Sequence, residues 1–277
     1  MGRTPALISQ SSGGPPPTLL SRYRPEHLAM FSEEEKRRFL AGVDPAVVAA
    51  AGSDEEAWST VAEALGWELL YRVEPQLYHR LVAGEKIHPG ILEWLPERIG
   101  NAVELGAGTG RLTVELAPRC DWLIAVEPAE PMRKILRQTL ADEKIGGVRV
   151  VEGYFDEIPV TDGWADLVVS CGSFTPDSAH GGEPALKEMQ RVCSPGGQIV
   201  VISPAQGSWL AQHGFKAVAF PGEAILEYSS PQEAAEIARI FFPSQAEGII
   251  RSGSSKIPCD VTGCDPPHIL YFSKPGS

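Results

Sequence analysis

Val103-Glu104-Leu105-Gly106-Ala107-Gly108-Thr109-Gly110-Arg111 is the stretch on which the fold is decided. An apolar run leads into glycines at every second position. A second apolar run, Leu123-Ile124-Ala125-Val126, ends on Glu127, seventeen residues after Gly110. The order is strand, glycine turn, helix, strand, acid: the first half of a doubly wound nucleotide-binding sheet. Glycines are needed where the chain turns sharply into a helix, because side chains there would collide with a ligand lying on the backbone. A carboxylate closing the next strand can accept both hydroxyls of a ribose, so the unit predicts an adenosine-bearing ligand.

The spacing selects among such ligands. A dinucleotide site takes G-x-G-x-x-G and sets a pyrophosphate on the helix N-terminus. Here Gly106, Gly108 and Gly110 give G-x-G-x-G, and Arg111 stands where the third dinucleotide glycine belongs. Glu104, two residues before the first glycine, repels a pyrophosphate but suits an ammonium or a sulfonium. These residues resemble the first motif of the class I S-adenosylmethionine-dependent methyltransferases, an acid and an apolar residue followed by G-x-G-x-G.

The totals bound the rest. The chain has 277 residues, 43% hydrophobic and 22% charged, which describes one large globular domain or a domain with an appendage. Its net charge is −12 with no Lys/Arg cluster, which disfavours a nucleic-acid substrate. No apolar stretch approaches the ~20 residues that span a bilayer, and the N-terminus lacks a signal-peptide core. Five scattered cysteines (Cys120, Cys171, Cys193, Cys259, Cys264) fit a reducing compartment, so a cytoplasmic enzyme is expected.

Residues 1–30 open with a Ser/Gly/Pro-rich stretch and read as a flexible arm, with Arg22, Arg24, His27 and Met30 placed to pack on the body. Residues 31–98 read as a helical extension. Ser32 with Glu35, and Ser53 with Glu56, are capping boxes; Trp58, Val61, Ala62, Leu65 and Leu69 share a helical face; Pro75 precedes a helix through Val82. From residue 99 onward the chain alternates strand and helix. Strands are expected near 101–105, 122–127, 148–152, 166–170 and 198–203, with helices to about 117, from Pro131 to Leu140 and from Pro184 to Val192. Helices near 206–217 and 232–241 follow. Strands near 247–253 and 268–273 are expected to pair antiparallel at the sheet edge.

That order resembles the class I methyltransferase fold over residues ~76–273: α/β, a doubly wound, Rossmann-like, seven-stranded and mostly parallel sheet with an antiparallel terminal hairpin. Two further segments carry the resemblance. Arg191-Val-Cys-Ser-Pro-Gly-Gly-Gln198 is similar to the family's L-K-P-G-G turn, and Val151-Glu-Gly-Tyr-Phe-Asp-Glu-Ile-Pro159 to its G-D-A-x-x-L-P loop.

The resemblance implies S-adenosylmethionine as cofactor and methyl transfer to a small-molecule acceptor. It implies that Gly106, Ala107, Gly108 and Gly110 pass under the methionine and ribose, that Glu104 holds the amino-acid end and that Glu127 takes the ribose. Pro128 and Met132 would pack on the adenine, Met132 serving equally well as plain core. Gly153, Tyr154 and Phe155 would edge that ring, with Tyr154 replacing the family's Asp. Ser170 and Cys171 would border the sulfonium, and Tyr78, in Tyr-His-Arg-Leu, would fold over the cofactor or simply pack on the core.

His180, in the loop after the fourth strand, is the candidate base, or else surface decoration. Asp177 and Glu183 share its loop and raise a metal-assisted variant. Cys259, Cys264 and His268 lack a fourth zinc ligand, so no metal is expected. Cys171 has no evident histidine partner and is not read as a nucleophile. The rival readings are a nicotinamide-dependent oxidoreductase and a non-catalytic S-adenosylmethionine-binding protein. A homodimer is compatible with the helical extension.

Overall fold

The apolar run Ile99–Leu105 is β1, and it is buried because strands flank it on both sides. It pairs in parallel with β2 (Cys120–Val126) and with β4 (Ala165–Cys171). β3 (Val148–Val151) lies outside β2, and β5 (Cys193–Ile202) outside β4. β6 (Lys216–Ala219) and β9 (Ile269–Ser273) complete the sheet, in the order β3-β2-β1-β4-β5-β9-β6. The computed structural model describes residues 14–178, 180–222, 224–262 and 268–274. Among these residues the doubly wound, seven-stranded and mostly parallel sheet is as expected, with β9 antiparallel to both β5 and β6.

The antiparallel terminal pair therefore exists, but its first member is β6. The expected strand at 247–253 is a helix, Ala246–Ser252. Its Gly-Ile-Ile-Arg core reads as β-branched, yet the buried residues are Ala246 and Ile249, three apart and on one helical face, while Ile250 is exposed. The helix expected over 206–217 stops at Gln212, and the chain then enters β6. Smaller revisions follow the same logic. The helix after the glycine turn is Thr113–Leu116, continued by a 3₁₀ turn over Ala117–Arg119 at Pro118. Ser194-Pro195-Gly196-Gly197 ends the preceding helix as expected, then bulges within β5: the register steps from Ala165–Cys193 to Leu167–Gln198.

A second apolar core lies over the sheet domain. It joins Leu19, Trp58, Leu65 and Leu69 from the N-terminal helices to Leu226, Ile237, Phe241 and Ile257 from the segment between β6 and β9. That segment carries β7 (Ile225–Glu227) and β8 (Lys256–Pro258), paired antiparallel, and the helix Pro231–Phe241. Residues 224–262 thus share one apolar core with the N-terminal helices, and we call the two together the cap.

The flexible arm expected over residues 1–30 is docked over its described part, 14–30. Leu19 and Tyr23 are fully buried, Thr18 Oγ1 donates to the Ile240 carbonyl at 2.5 Å, and Arg22 pairs with Glu74. Met30, by contrast, stays half exposed. The Ser32–Glu35 capping box forms as expected. The second cap is Asp54, not Ser53: its Oδ1 accepts from the Ala57 N–H at 2.7 Å and starts the helix Glu55–Leu65.

Candidate functional site

The glycine turn leaves β1 with all three glycines at positive φ, +65° at Gly106, +56° at Gly108 and +105° at Gly110. At Gly106 a Cβ would collide with the Ser173 hydroxyl, and at Gly110 it would stand 2.7 Å from Leu136. The turn is therefore held from both sides, by the loop after β4 and by the helix Glu130–Asp142. At Gly108 the space is freer: a Cβ there would lie 3.6 Å from the Tyr78 ring and 3.8 Å from Met132 Cε. Tyr78 is placed by the cap helix Pro75–Ala83, edge-on to Tyr71 at 5.0 Å. The next residue, His79, meets the Thr109 hydroxyl through Nδ1 at 2.9 Å, so the Tyr-His pair grips the turn itself.

Glu127 stands at the end of β2, where parallel pairing with β1 brings it level with the turn. Its Oε2 accepts from the Gly108 N–H and its Oε1 from the Ala129 N–H, each at 2.9 Å. Burial pushes its carboxyl up to about 7, against the pull of those two backbone donors. Glu104 is 2% exposed and accepts from Thr113 Oγ1 at 2.7 Å. Burial raises it further, to about 8. Glu104 lines one recess with Tyr78, Gly106, Gly108, Arg111 and Cys171, and Glu127 meets the same turn through the Gly108 N–H.

The other expected residues fall around this centre. Met132 is buried, with its Cε 3.8 Å from a Gly108 Cβ position. The Pro128 carbonyl accepts from Arg133 at 2.7 Å. Gly153 is packed rather than open: a Cβ there would lie 2.7 Å from Pro159 and 2.8 Å from Val126. Tyr154 carries the Arg38 guanidinium over its ring at 4.0 Å, and Arg38 is anchored to Asp156 at 2.8 Å. Phe155 reaches back to within 3.6 Å of a Gly106 Cβ position and packs edge-on to Phe174. Ser170 Oγ pairs with Ser173 Oγ at 2.9 Å. Burial raises the Cys171 thiol to about 11, which makes it a poor nucleophile.

His180 is neither free nor simply decorative. Its Nε2 meets Glu68 Oε1 at 3.0 Å and its ring stacks on Phe39, both from the cap. Glu183 is exposed, and among the described residues no group of three or more His, Cys, Asp or Glu could hold a metal. Cys264, one corner of the weighed zinc cluster, lies outside the described residues.

Sequence reasoning passed over the buried ion pairs. Arg72 bridges Glu68 and Glu35, and Arg111 pairs with Glu85 at 2.6 Å. The i,i+4 spacing of Glu68 and Arg72 was a visible signal. Glu85 carried none, since only the fold brings it to Arg111.

Residues 102–197 match the protein family described as "Methyltransferase domain". Over this segment the chain is similar to methyltransferase domains. Two curated relatives of the domain are an uncharacterized methyltransferase of Anoxybacillus flavithermus, 34% identical over 42% of this chain and 52% of its own length, and one of Mycobacterium tuberculosis, 32% identical over 41% and 44%. The chain spans about half the length of these relatives. Among solved structures, the Bacillus subtilis YcgJ protein is similar with a TM-score of 0.46 at 15% identity, over 66% of this chain and 94% of that one. An Aquifex aeolicus SAM-dependent methyltransferase gives 0.44 at 16%, over 56% and 93%. Around the methyltransferase domain, the cap adds the Tyr78, Arg38 and Glu68 contacts described above, all from outside residues 102–197. No helix among the described residues is long and apolar enough to cross a membrane.

Proposed function

We propose that this chain binds S-adenosylmethionine between the glycine turn and the cap, and transfers its methyl group to a small-molecule acceptor. The observation that carries the reading is the joint placement of Glu127 and the turn: a buried carboxylate hydrogen-bonded to the Gly108 N–H, beside backbone bare of side chains. A diphosphate would meet two buried acids there, whereas a sulfonium with an ammonium is favoured by them. Arg111, in place of a third dinucleotide glycine, argues the same way against a nicotinamide cofactor.

In this reading Glu127 takes the ribose hydroxyls, and Gly106, Ala107, Gly108 and Gly110 give the ligand its floor. Glu104 faces the amino-acid end, and Tyr78 closes over the turn. Pro128, Met132, Gly153, Tyr154 and Phe155 border the adenine. Because Arg38 covers one face of Tyr154, we assign the adenine edge to its hydroxyl. Ser170 and Cys171 border the sulfur. When bound, the sulfonium supplies an activated methyl group for in-line displacement; the protein's part is alignment and exclusion of water, and placement alone contributes on the order of 7–11 kcal/mol. His180 is the base we assign to an acceptor OH or NH, with Glu68 fixing its ring. The cap shapes the acceptor space, which favours a small molecule over a macromolecule.

A second reading, donor binding without transfer, draws support from the engagement of His180 Nε2 by Glu68. Calorimetric titration with S-adenosylmethionine and with NAD, followed by a radiolabelled-methyl screen of small acceptors, tests both. Binding with turnover supports the first reading, binding without any acceptor supports the second, and uptake of NAD alone overturns both.

A further inference from the structure

Arg133, near the start of the helix Glu130–Asp142, is a charged residue only 4% exposed. A buried cation is costly unless its N–H groups are met. Four of the five on this guanidinium are. Nε donates to Glu130 at 2.9 Å, Nη2 to Glu152 at 2.7 Å, and Nη1 to the carbonyls of Glu127 and Pro128, each at 2.7 Å. The main-chain N–H of the same residue donates to the Ala129 carbonyl at 3.0 Å. Three consecutive carbonyls just past β2 thus accept from one residue.

That corner needs donors. β2 ends at Val126, the Glu127 N–H still reaches the Val151 carbonyl at 3.1 Å, and Pro128 brings no N–H of its own. The corner also carries the Glu127 carboxylate, whose Oε1 accepts from the Ala129 N–H at 2.9 Å. The Pro128 carbonyl and the Ala129 N–H belong to one planar peptide unit, so a donor that fixes the first also aims the second. Glu127 Oε2 accepts from the Gly108 N–H, again at 2.9 Å. An ionised carboxylate has about four lone-pair sites; two are taken by these N–H groups, and about two remain, as many as a ribose has hydroxyls.

We propose that Arg133 is a positioning residue: by holding the Pro128–Ala129 peptide plane it sets the direction of the Glu127 carboxylate, and so the preference of the site for a ligand bearing a ribose diol. Arg133 acts through that plane and makes no contact with the ligand. Glu130 and Glu152 hold the guanidinium from its other N–H groups. The role rests on the ribose contact proposed above for Glu127 and names the group that aligns it.

Calorimetric titration of the full chain with S-adenosylhomocysteine and with its 2′,3′-dideoxy analogue separates positioning from support of the fold. The wild-type chain prefers S-adenosylhomocysteine by at least about tenfold, since hydrogen bonds to a charged group are at stake. In Arg133→Met that preference shrinks to within about threefold, while the dideoxy analogue binds as before. Arg133→Lys returns a cation with N–H donors but not the planar fork, and recovers part of the preference. Should Arg133→Met melt early, Arg133→Lys carries the test, with a preference severalfold below wild type. An equal loss for both ligands, or a full wild-type preference in a folded variant, overturns the inference and leaves the adenosyl reading standing. A wild-type chain that binds both ligands alike overturns the Glu127 contact and the inference with it. One that binds neither overturns the adenosyl reading itself.

Discussion

His180 Nε2, on the loop after β4, lies 3.0 Å from Glu68 Oε1 on the cap helix Trp67–Val73, so loop and cap are tied by a histidine–carboxylate contact. Glu68 is itself buried and shares Arg72 with Glu35. The Arg72 guanidinium also lies 4.9 Å from the Phe31 ring centre and 5.1 Å from that of Phe39. A cation in so apolar a place depends on both of its carboxylates. Glu68→Gln, which keeps shape but removes one charge, should therefore cost about 3 kcal/mol of unfolding free energy in urea. A cost below about 1 kcal/mol would mean the pair is hydrated in solution.

The same contact carries a pH signature. Burial pushes the His180 imidazole down, but the hydrogen bond and charge of Glu68 outweigh it, and the net shift is upward. A raised folded-state value means the stabilisation is complete below the ordinary histidine value of about 6.5, and is lost as pH climbs through the folded value. The His180 ring-proton NMR titration should thus have a midpoint above the ordinary value. In Glu68→Gln the midpoint should fall. An unmoved midpoint would show that the two side chains do not meet.

How much of this was legible in the sequence follows the range of the interactions. β1 to β5 were readable because parallel strands covered on both faces are continuous apolar runs, and the turn was readable because its glycines are a local backbone demand. β6 was hidden: Lys216–Ala219 has one polar and three small or branched residues, and only pairing with β9 makes it a strand. Ile249-Ile250 misled in the opposite sense, because local β propensity yielded to burial of Ala246 and Ile249 in the cap. In the candidate site, Glu104, Glu127 and Tyr78 were visible as motif positions. Arg38 and Glu85 were not, since their partners are remote, and for Glu68 and Arg72 the i,i+4 spacing showed the pair but not the further partners His180 and Glu35.

Gly106 offers a test of the turn. Alanine at φ +65° costs about 1 kcal/mol in backbone strain alone, and its methyl collides with the Ser173 hydroxyl. Gly106→Ala should lower the melting temperature and weaken S-adenosylhomocysteine binding by more than about tenfold, as the floor of the site shifts. Adding Ser173→Gly removes the collision but not the strain, and should restore part of the stability. If the double variant is no more stable than the single one, Ser173 is not what the methyl meets.

Two carboxyls that hold protons near neutrality predict how donor binding responds to pH. Glu104 stands at about 8 and Glu127 at about 7, both raised chiefly by burial. Near pH 7 the ligand-free recess therefore keeps Glu104 largely protonated. A sulfonium and an ammonium beside these groups favour their ionised forms and lower both values, so a proton leaves as S-adenosylmethionine arrives. Affinity should rise as pH goes from about 6 to about 8 and then level off. S-adenosylhomocysteine, whose sulfur is uncharged, should show a shallower slope. Calorimetry at neutral pH in two buffers of different ionisation enthalpy counts the proton directly, and Glu104→Gln should flatten the dependence. Equal slopes for the two ligands, with a heat indifferent to buffer, would place the sulfonium away from both acids.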